Sequence, residues 1–151
     1  TYFLTATSLG GDEAAELMSE IVRAIGGKPV MIDAEAHDRL VAVTSHLPHA
    51  AAAAVMLAVA ELVPDEQLRT QGSGGGLRDT TRIAAGSPEL WRDIFLANAD
   101  ALADACITAG RWLQELARAA QQGDGDRLAE LLEQARRQRQ SLDPDREEGG
   151  Q

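Results

Sequence analysis

The chain has 151 residues, of which 44% are hydrophobic, and its 24 acidic and 14 basic side chains give a formal net charge of −10 at pH 7. This length and apolar content are typical of one folded domain and exclude disorder throughout the chain. The negative charge argues against nucleic acid and anionic membranes as partners. Aromatic residues make up only 3% of the chain, too few for a base-stacking surface.

The single cysteine, Cys106, cannot form an internal disulfide, and we expect it to pack inertly on a helix in a reducing compartment. No signal peptide is visible at the start of the chain. The alanine-rich run 50–60 is too short, and too closely flanked by His and Glu, to be expected to span a bilayer. The sequence therefore predicts a soluble, cytoplasmic protein without a membrane partner.

The first 32 residues predict a β-α-β unit. A β-prone run from Tyr2 to Ala6 precedes a helix from Gly10 to Ile25, and a second short strand follows from Lys28 to Ile32. A crossover of this kind joins parallel strands. Because two strands alone do not form a stable sheet, we expect this unit to be the tail of something larger.

From residue 33 onward the apolar spacing is almost entirely helical, so the fold class is predicted to be mainly α. The predicted helices are 34–62, 79–85, 88–121 and 126–142, and residues 143–151 are predicted to be disordered. A chain of this size cannot by itself cover such long, alanine-rich apolar faces. We therefore expect a dimer, with its long helices intertwined.

All three histidines fall in the stretch HDRLVAVTSHLPH, residues 37–49. At about 100° per residue, His46 and His49 lie roughly 60° apart on a helix and Ser45 lies near His49, so these three side chains can face one site. His37 falls roughly on the opposite side, so we predict no metal site. Pro48 should kink the helix beside the histidines. On spacing alone, contact with a ligand and polar packing in a helix interface remain equal alternatives.

A second polar segment, GGGLRDTTR, occupies residues 74–82. Its glycines allow positive φ angles and close backbone approach, and a helix capped by Asp79 can direct amide groups toward an anion. Arg78 and Arg82 are four residues apart, and arginine suits carboxylate binding. The alternative is a flexible connector followed by a solvated basic face. Farther along, Trp91 is more typical of core packing, and a buried Asn98 must find hydrogen-bond partners.

The segments HDRLVAVTSHLPH and GGGLRDTTRIAAGSPELWRDIFLAN resemble the carboxy-terminal half of prephenate dehydrogenases. The resemblance spans about residues 2 to 139. It implies that residues 33–142 form a helical substrate-binding and dimerisation domain, and that residues 1–32 are the last β-α-β of an amino-terminal Rossmann domain that binds NAD or NADP. It also implies a homodimer and a small-molecule substrate.

Enzymes of this family oxidatively decarboxylate prephenate to 4-hydroxyphenylpyruvate in tyrosine biosynthesis. The resemblance places the substrate-binding arginine at Arg82 and a substrate-pocket histidine at His49. Further family positions that it marks as contacting or supporting the substrate are Ser45, His46, Gly75, Asp79 and Trp91.

The catalytic histidine and the GxGxxG fingerprint of this family belong to its amino-terminal domain, and neither motif occurs in these residues. We therefore expect no catalytic residue here and no turnover by the 151 residues alone. Two alternatives stay open. The substrate could be arogenate or an amino-substituted prephenate, or the chain could be a non-catalytic helical dimerisation or regulatory module.

Overall fold

The computed structural model describes residues 1–6 and 10–142. They belong to two compact units, Thr1–Cys106 and Ile107–Gln151, which we describe separately. The predicted mainly helical fold class is confirmed, with one short sheet at the beginning of the chain. The predicted domain boundary near residue 32 stays a prediction, and the tail 143–151 lies outside the described residues.

The first unit begins with the predicted β-α-β arrangement. Strand β1 (Tyr2–Leu4), helix α1 (Gly11–Ala24) and strand β2 (Pro29–Met31) follow one another, and the two strands pair in parallel, as predicted. Gly26 ends the helical turn with φ of 81°, a conformation that favours glycine. Gly27 has no room for a side chain, because a Cβ there would lie 2.8 Å from the Tyr2 ring. This close approach lets the helix return directly to the sheet.

The long helix predicted for residues 34–62 is confirmed, but its hydrogen-bond pattern changes partway along. Helix α2 (Ala34–Val41) continues through a π-helical turn at Ala42–His46 into α3 (Leu47–Leu62). The Asp33 carboxylate caps α2 by accepting a 2.9 Å hydrogen bond from the Ala36 amide. The disturbance predicted beside the histidines therefore takes the form of a π turn just before Pro48. Such turns concentrate at functional sites.

The continuous helix Ala34–Leu62 has 29 residues, and its mean hydropathy over an 18-residue stretch is 1.5, so length and composition alone would let it cross a membrane. This corrects the expectation of a segment too short to span, which considered only the alanine run. Core helices of soluble proteins meet the same criterion. Much of this apolar surface is uncovered, since 22% of that stretch is buried.

The glycine-arginine segment folds differently from its prediction. After α4 (Glu66–Gly72), helix α5 runs from Gly75 to Thr81 and a 3₁₀ turn follows at Arg82–Ala85. Gly74, in an extended conformation, is the N-cap, so the prediction that Asp79 caps a helix 79–85 is wrong. Glycines 74–76 do not use the positive φ angles that their lack of a side chain allows. The physical reason is tertiary: α5 packs against α3 and buries Thr81, which outweighs the low helix propensity of glycine.

The single helix predicted for residues 88–121 is wrong. Helix α6 (Pro88–Ala97) ends at Asn98, whose φ of −132° and ψ of 42° leave the helical region, and α7 (Ala99–Gln122) begins next. Ser87 caps α6, as its sequence predicts, with its side chain accepting a 3.3 Å bond from the Leu90 amide. The chain therefore changes direction at Asn98, although the apolar spacing continues through it.

The second unit consists of the later part of α7 and helix α8 (Gly125–Gln140), joined at Gly123, whose φ is 68°. Ala119 and Leu131 are buried in this unit. Trp112 and Leu113, which continue the apolar spacing of α7, are 44% and 69% exposed. An apolar groove of about 280 Å³ lies between α7 and α8, and Trp112, Leu116 and Leu132 are among its lining residues.

Candidate functional site

His46 and His49 are both buried, with 8% and 6% of their surfaces exposed. His46 ends the π turn and His49 lies in the first turn of α3. Histidine is mostly a surface or half-buried residue, so two buried histidines on one turn require specific surroundings. The predicted convergence of these two side chains is the starting point of the site.

Both imidazoles lie against aromatic side chains of α6. The His49 ring stacks on Trp91, with 3.6 Å between ring centroids and 15° between ring planes. The His46 ring meets Trp91 edge-on at 6.5 Å, and Phe95 lies 6.4 Å from His46 and 6.2 Å from His49. We call His46, His49, Trp91 and Phe95 the histidine-aromatic cluster. It is an apolar site that contains two polar heterocycles.

His49 carries the least satisfied polar atom of this cluster. Its Nδ1 is buried and has no hydrogen-bond partner among the described residues. Burial lowers the pKa of His49 from its ordinary value of 6.5, because the protonated ring would lose its hydration. At neutral pH the ring is therefore uncharged, and each nitrogen can donate or accept one hydrogen bond according to the tautomer. An unpaired buried nitrogen requires an explanation, and a ligand supplies one.

His46, by contrast, has a protein partner. The Asn98 side-chain amide lies 3.4 Å from His46 Nδ1 and donates a 2.8 Å hydrogen bond to the Asp38 carbonyl oxygen. Asn98 thus finds the partners that the sequence required. Its contacts connect the break between α6 and α7 with α2, through Asp38, and with the end of the π turn, through His46.

The 3₁₀ turn that begins with Arg82 packs against α3, the helix that carries His49. Arg82 is exposed and forms no ion pair or hydrogen bond within residues 1–6 and 10–142. Gly86, four residues later, lies directly against the cluster: a Cβ there would come within 3.3 Å of His49 Cε1 and 3.0 Å of Trp91 Nε1. One short segment therefore connects an uncommitted guanidinium with the stacked rings.

The other predicted site residues lie outside the cluster. Ser45 is exposed on the π turn, and Gly75 and Asp79 are exposed on α5. No hydrogen bond or ring contact joins them to the cluster in the described part of the chain. Their assignment to the substrate site stays a prediction.

His37 is separate from the other histidines, as its position in the helix predicted. Its Nδ1 lies 3.1 Å from the Asp38 carboxylate, and its ring meets Phe3 edge-on at 5.9 Å. Among the residues that the structure describes, no three His, Cys, Asp or Glu side chains are grouped as metal ligands.

The sequence analysis missed two contributors to the cluster. Phe95 was not predicted as a site residue, although its spacing of four from Trp91 places both on one helix face. Gly86 gave no signal, because a glycine before a Ser-Pro helix start is an ordinary connector.

Known proteins are similar to this chain over most of its length. A sequence model of the family described as "Prephenate dehydrogenase, dimerization domain" matches residues 33–134. The chain is 35% identical over 136 residues to a cyclohexadienyl dehydrogenase of Zymomonas mobilis, covering 88% of this chain and 46% of that protein. It is 30% identical over 148 residues to a prephenate dehydrogenase of Bacillus subtilis, covering 98% of this chain and 40% of that protein. A 4-amino-4-deoxyprephenate dehydrogenase of Streptomyces pristinaespiralis is 34% identical over 129 residues, with coverage of 78% and 40%.

Solved structures show the same likeness. The prephenate dehydrogenase of A. aeolicus, solved in complex with hydroxyphenyl propionate and NAD+, matches with a TM-score of 0.84 at 30% identity, covering 93% of this chain and 49% of that one. The arogenate dehydrogenase of Synechocystis matches with a TM-score of 0.82 at 26% identity, covering 93% and 51%. The chain thus spans about half or less of the length of these proteins. It belongs to the prephenate dehydrogenase family, and residues 33–134 are the family's dimerization domain.

Proposed function

We propose that this chain is the substrate-binding and dimerising half of an NAD- or NADP-dependent prephenate dehydrogenase, an oxidoreductase of aromatic amino acid biosynthesis. The proposed reaction is the oxidative decarboxylation of prephenate to 4-hydroxyphenylpyruvate on the route to tyrosine. One observation carries the proposal: in a chain that belongs to this family, the histidine-aromatic cluster contains a buried His49 nitrogen without a hydrogen-bond partner among the described residues.

The substrate's chemistry suits the side chains of this region. Prephenate carries two carboxylates, and Arg82 is an exposed guanidinium without an ion-pair partner among the described residues. A guanidinium can hold a carboxylate through two parallel hydrogen bonds. The uncharged imidazole of His49 can add a further hydrogen bond without the cost of burying a second charge. We therefore assign Arg82 and His49 to substrate binding. Trp91 would form one wall of the substrate site, beside the His49 ring.

In this proposal the chain orients the substrate and performs no proton transfer. The nicotinamide, held by an amino-terminal Rossmann domain, would accept hydride from the hydroxyl-bearing ring carbon as carbon dioxide leaves. Aromatisation of the ring supplies the driving force. The contribution of these residues is to fix the acid in the geometry that the transfer needs.

The substrate has two close alternatives, because similar relatives act on different acids by name. One solved relative is an arogenate dehydrogenase and one curated relative is a 4-amino-4-deoxyprephenate dehydrogenase. All three acids are carboxylated cyclohexadienes, so Arg82 would serve each of them equally. Steady-state rates of the complete enzyme with each acid would rank them.

A homodimer and a cytoplasmic location complete the proposal. Several large apolar side chains of α3 are exposed, including Leu57 at 72% and Leu62 at 80%, and a second copy would cover them. A buried dimer interface would account for the apolar composition by which this helix meets the criterion for a membrane span. A non-catalytic dimerisation module is the remaining alternative, and it makes no use of the unpartnered His49 nitrogen or of Arg82.

Replacing Arg82 with alanine in the protein expressed from the complete reading frame tests the proposal. A hydrogen bond to a charged group contributes about 1.5–3 kcal/mol, so the KM for prephenate should rise about ten- to hundredfold. The fold should be unaffected, because the exposed side chain has no partner to lose among the described residues. Arg92→Ala is the matched control: Arg92 is also exposed, and within the described part of the chain it pairs with the neighbouring Asp93.

An unchanged KM in the Arg82→Ala enzyme, with both variants folded by circular dichroism, would favour the non-catalytic module. The 151-residue chain on its own should reduce no NAD+ in the presence of prephenate. Measurable reduction would contradict the division of labour proposed here.

A further inference from the structure

The break between α6 and α7 places one side-chain amide between two acceptors. Asn98 Nδ2 is 2.8 Å from the Asp38 carbonyl oxygen and 3.4 Å from His46 Nδ1. In the sequence, Asp38 lies 60 positions before Asn98 and His46 lies 52 positions before it. All three residues belong to the first compact unit. The amide therefore ties a helix break to the π turn.

The chemistry of the Asp38 carbonyl decides which end of the amide faces it. A backbone carbonyl oxygen can only accept, so the amide must turn its NH₂ group, and not its oxygen, toward Asp38. The choice between nitrogen and oxygen at an asparagine is normally inferred from such a network. The same NH₂ group, with its second hydrogen, faces His46 Nδ1. That nitrogen must then accept, and it carries no proton.

We propose that Asn98 is a positioning residue that holds His46 in the tautomer with its proton on Nε2. The Asp38 carbonyl orients the amide, the amide fixes the imidazole, and the imidazole presents an Nε2–H donor. Nε2 forms no hydrogen bond within residues 1–6 and 10–142, so this donor is uncommitted. Ring contacts with Trp91 and Phe95 hold the plane of the imidazole.

A fixed donor selects its ligand by class. An Nε2–H group recognises a carboxylate, carbonyl or hydroxyl oxygen and rejects a donor in the same place. Assigning that oxygen to the substrate acid rests on the proposed function, whereas the tautomer itself does not. The second buried histidine, His49, has no such partner for its Nδ1 among the residues that the structure describes, so the two imidazoles differ in how firmly their protons are placed.

The tautomer can be read directly from two- and three-bond ¹⁵N–¹H correlations of the 151-residue chain at a pH where the imidazoles are neutral. The chain has three histidines, so the spectrum is simple. His37 provides the opposite reference, because its Nδ1 lies 3.1 Å from a carboxylate oxygen that can only accept. We expect the Nδ1–H form at His37 and the Nε2–H form at His46.

The decisive variant is Asn98→Asp, which replaces a donor with an acceptor of the same shape. We expect His46 to exchange to the Nδ1–H form while His37 and His49 keep their signals. A folded Asn98→Asp chain that retains the Nε2–H form at His46 overturns the proposal, as does an Nδ1–H form in the unsubstituted chain. Should the Asp variant not fold, Asn98→Leu removes the donor alone. A rise in the Nδ1–H population supports the proposal, and an unaltered ratio overturns it.

The complete enzyme separates this inference from the proposed function. Losing one neutral hydrogen bond contributes about 0.5–1.5 kcal/mol, so Asn98→Asp should raise the KM for prephenate about two- to tenfold with kcat nearly unchanged. A merely structural role would lower kcat and the melting temperature together. An exchanged tautomer with an unchanged KM overturns the ligand-presenting role of His46, and it leaves the outcome of Arg82→Ala unaffected.

Discussion

Replacing His49 with phenylalanine should make the fold more stable, although His49 is assigned to the site. The wild-type imidazole stacks on Trp91 at 3.6 Å and leaves its buried Nδ1 without a hydrogen bond in the described chain. A phenyl ring keeps the aromatic stack and removes the unpaired polar atom. The variant therefore isolates the stability cost of placing a polar heterocycle in this position.

The magnitude follows from two opposing effects. An unsatisfied buried polar group costs about 1–3 kcal/mol, which phenylalanine recovers. The larger ring overpacks the cluster, and such strain typically costs about 1–3 kcal/mol in a rigid core. Strain should lie at the low end here, because Trp91 is only half-buried and can shift. We expect a net gain in the free energy of unfolding of about 0.5–2 kcal/mol at neutral pH.

The gain should grow on acidification. Burial lowers the pKa of His49 in the folded chain below its ordinary value of 6.5, which the unfolded chain retains. As pH falls below 6.5, the unfolded chain binds a proton at His49 that the folded chain does not. Wild-type stability therefore falls between pH 6.5 and the lower folded pKa, with a slope of at most about 1.4 kcal/mol per pH unit. Phenylalanine abolishes this contribution.

Urea unfolding followed by circular dichroism at pH 7.5 and pH 5.5, at one fixed protein concentration, measures both effects. His37→Phe is the matched control, since His37 is more exposed and has a partner in Asp38. Its stability at pH 7.5 should change by no more than about 0.5 kcal/mol. The reasoning is refuted if His49→Phe is less stable at both pH values, or if its advantage is the same at both.

Three further expectations concern other parts of the chain. Hydrogen bonds from two arginines lower the pKa of Glu133 from its ordinary value of 4.5 to about 2. The stabilisation from this carboxylate should therefore be present above pH 4.5 and be lost as the pH falls toward 2. Arg136→Ala should raise the pKa of Glu133 in an NMR titration. Gly27→Ala should destabilise the β-α-β unit by about 1–3 kcal/mol in urea unfolding, whereas Gly72→Ala, which meets nothing within 4 Å, should be neutral or stabilising. Leu57→Glu should convert a dimer into monomers in sedimentation equilibrium, because that side chain is 72% exposed in the single chain; an unaltered mass would place the interface elsewhere.

The parts of the fold that the sequence predicted are those specified by local rules. The helix from Ala34 to Leu62 and the β-α-β unit follow from apolar spacing. Predictions failed where a distant contact decides the outcome. Glycines 74–76 look like a loop, yet the packing of α5 on α3 makes two of them helical.

Asn98 shows why periodicity missed a helix break. The apolar spacing stays in phase on both sides of it, so no window of the sequence shows an interruption. An asparagine side chain can bond to backbone groups, and here Asn98 donates to the carbonyl oxygen of Asp38 in α2, 60 residues away. Prediction of the site was limited in the same way, because local spacing does not show distant contacts. Helical spacing predicted that His46 and His49 converge, but not that Trp91 would stack on His49.

The family resemblance assigns Arg82 and His49 to one substrate site, and this assignment stays a prediction. What favours it is the connection through Gly86, whose lack of a side chain leaves room for the stacked rings. Substituting that glycine would disturb the rings without touching Arg82, so the two halves of the site can be perturbed separately.

The irregularities of the first unit are concentrated at the histidines. Three other helix N-termini of this unit have side-chain caps, since Asp33, Asp65 and Ser87 accept hydrogen bonds of 2.9 to 3.3 Å from backbone amides. Around His46 and His49, by contrast, the chain has a π turn, a helix broken at Asn98 and a buried nitrogen without a partner among the described residues. A sequence that caps these three helices has the means to avoid such defects. Their concentration is expected where stability is given up for binding, because violations of local consistency gather at functional sites. The gain in stability expected for His49→Phe is the measurable form of that argument.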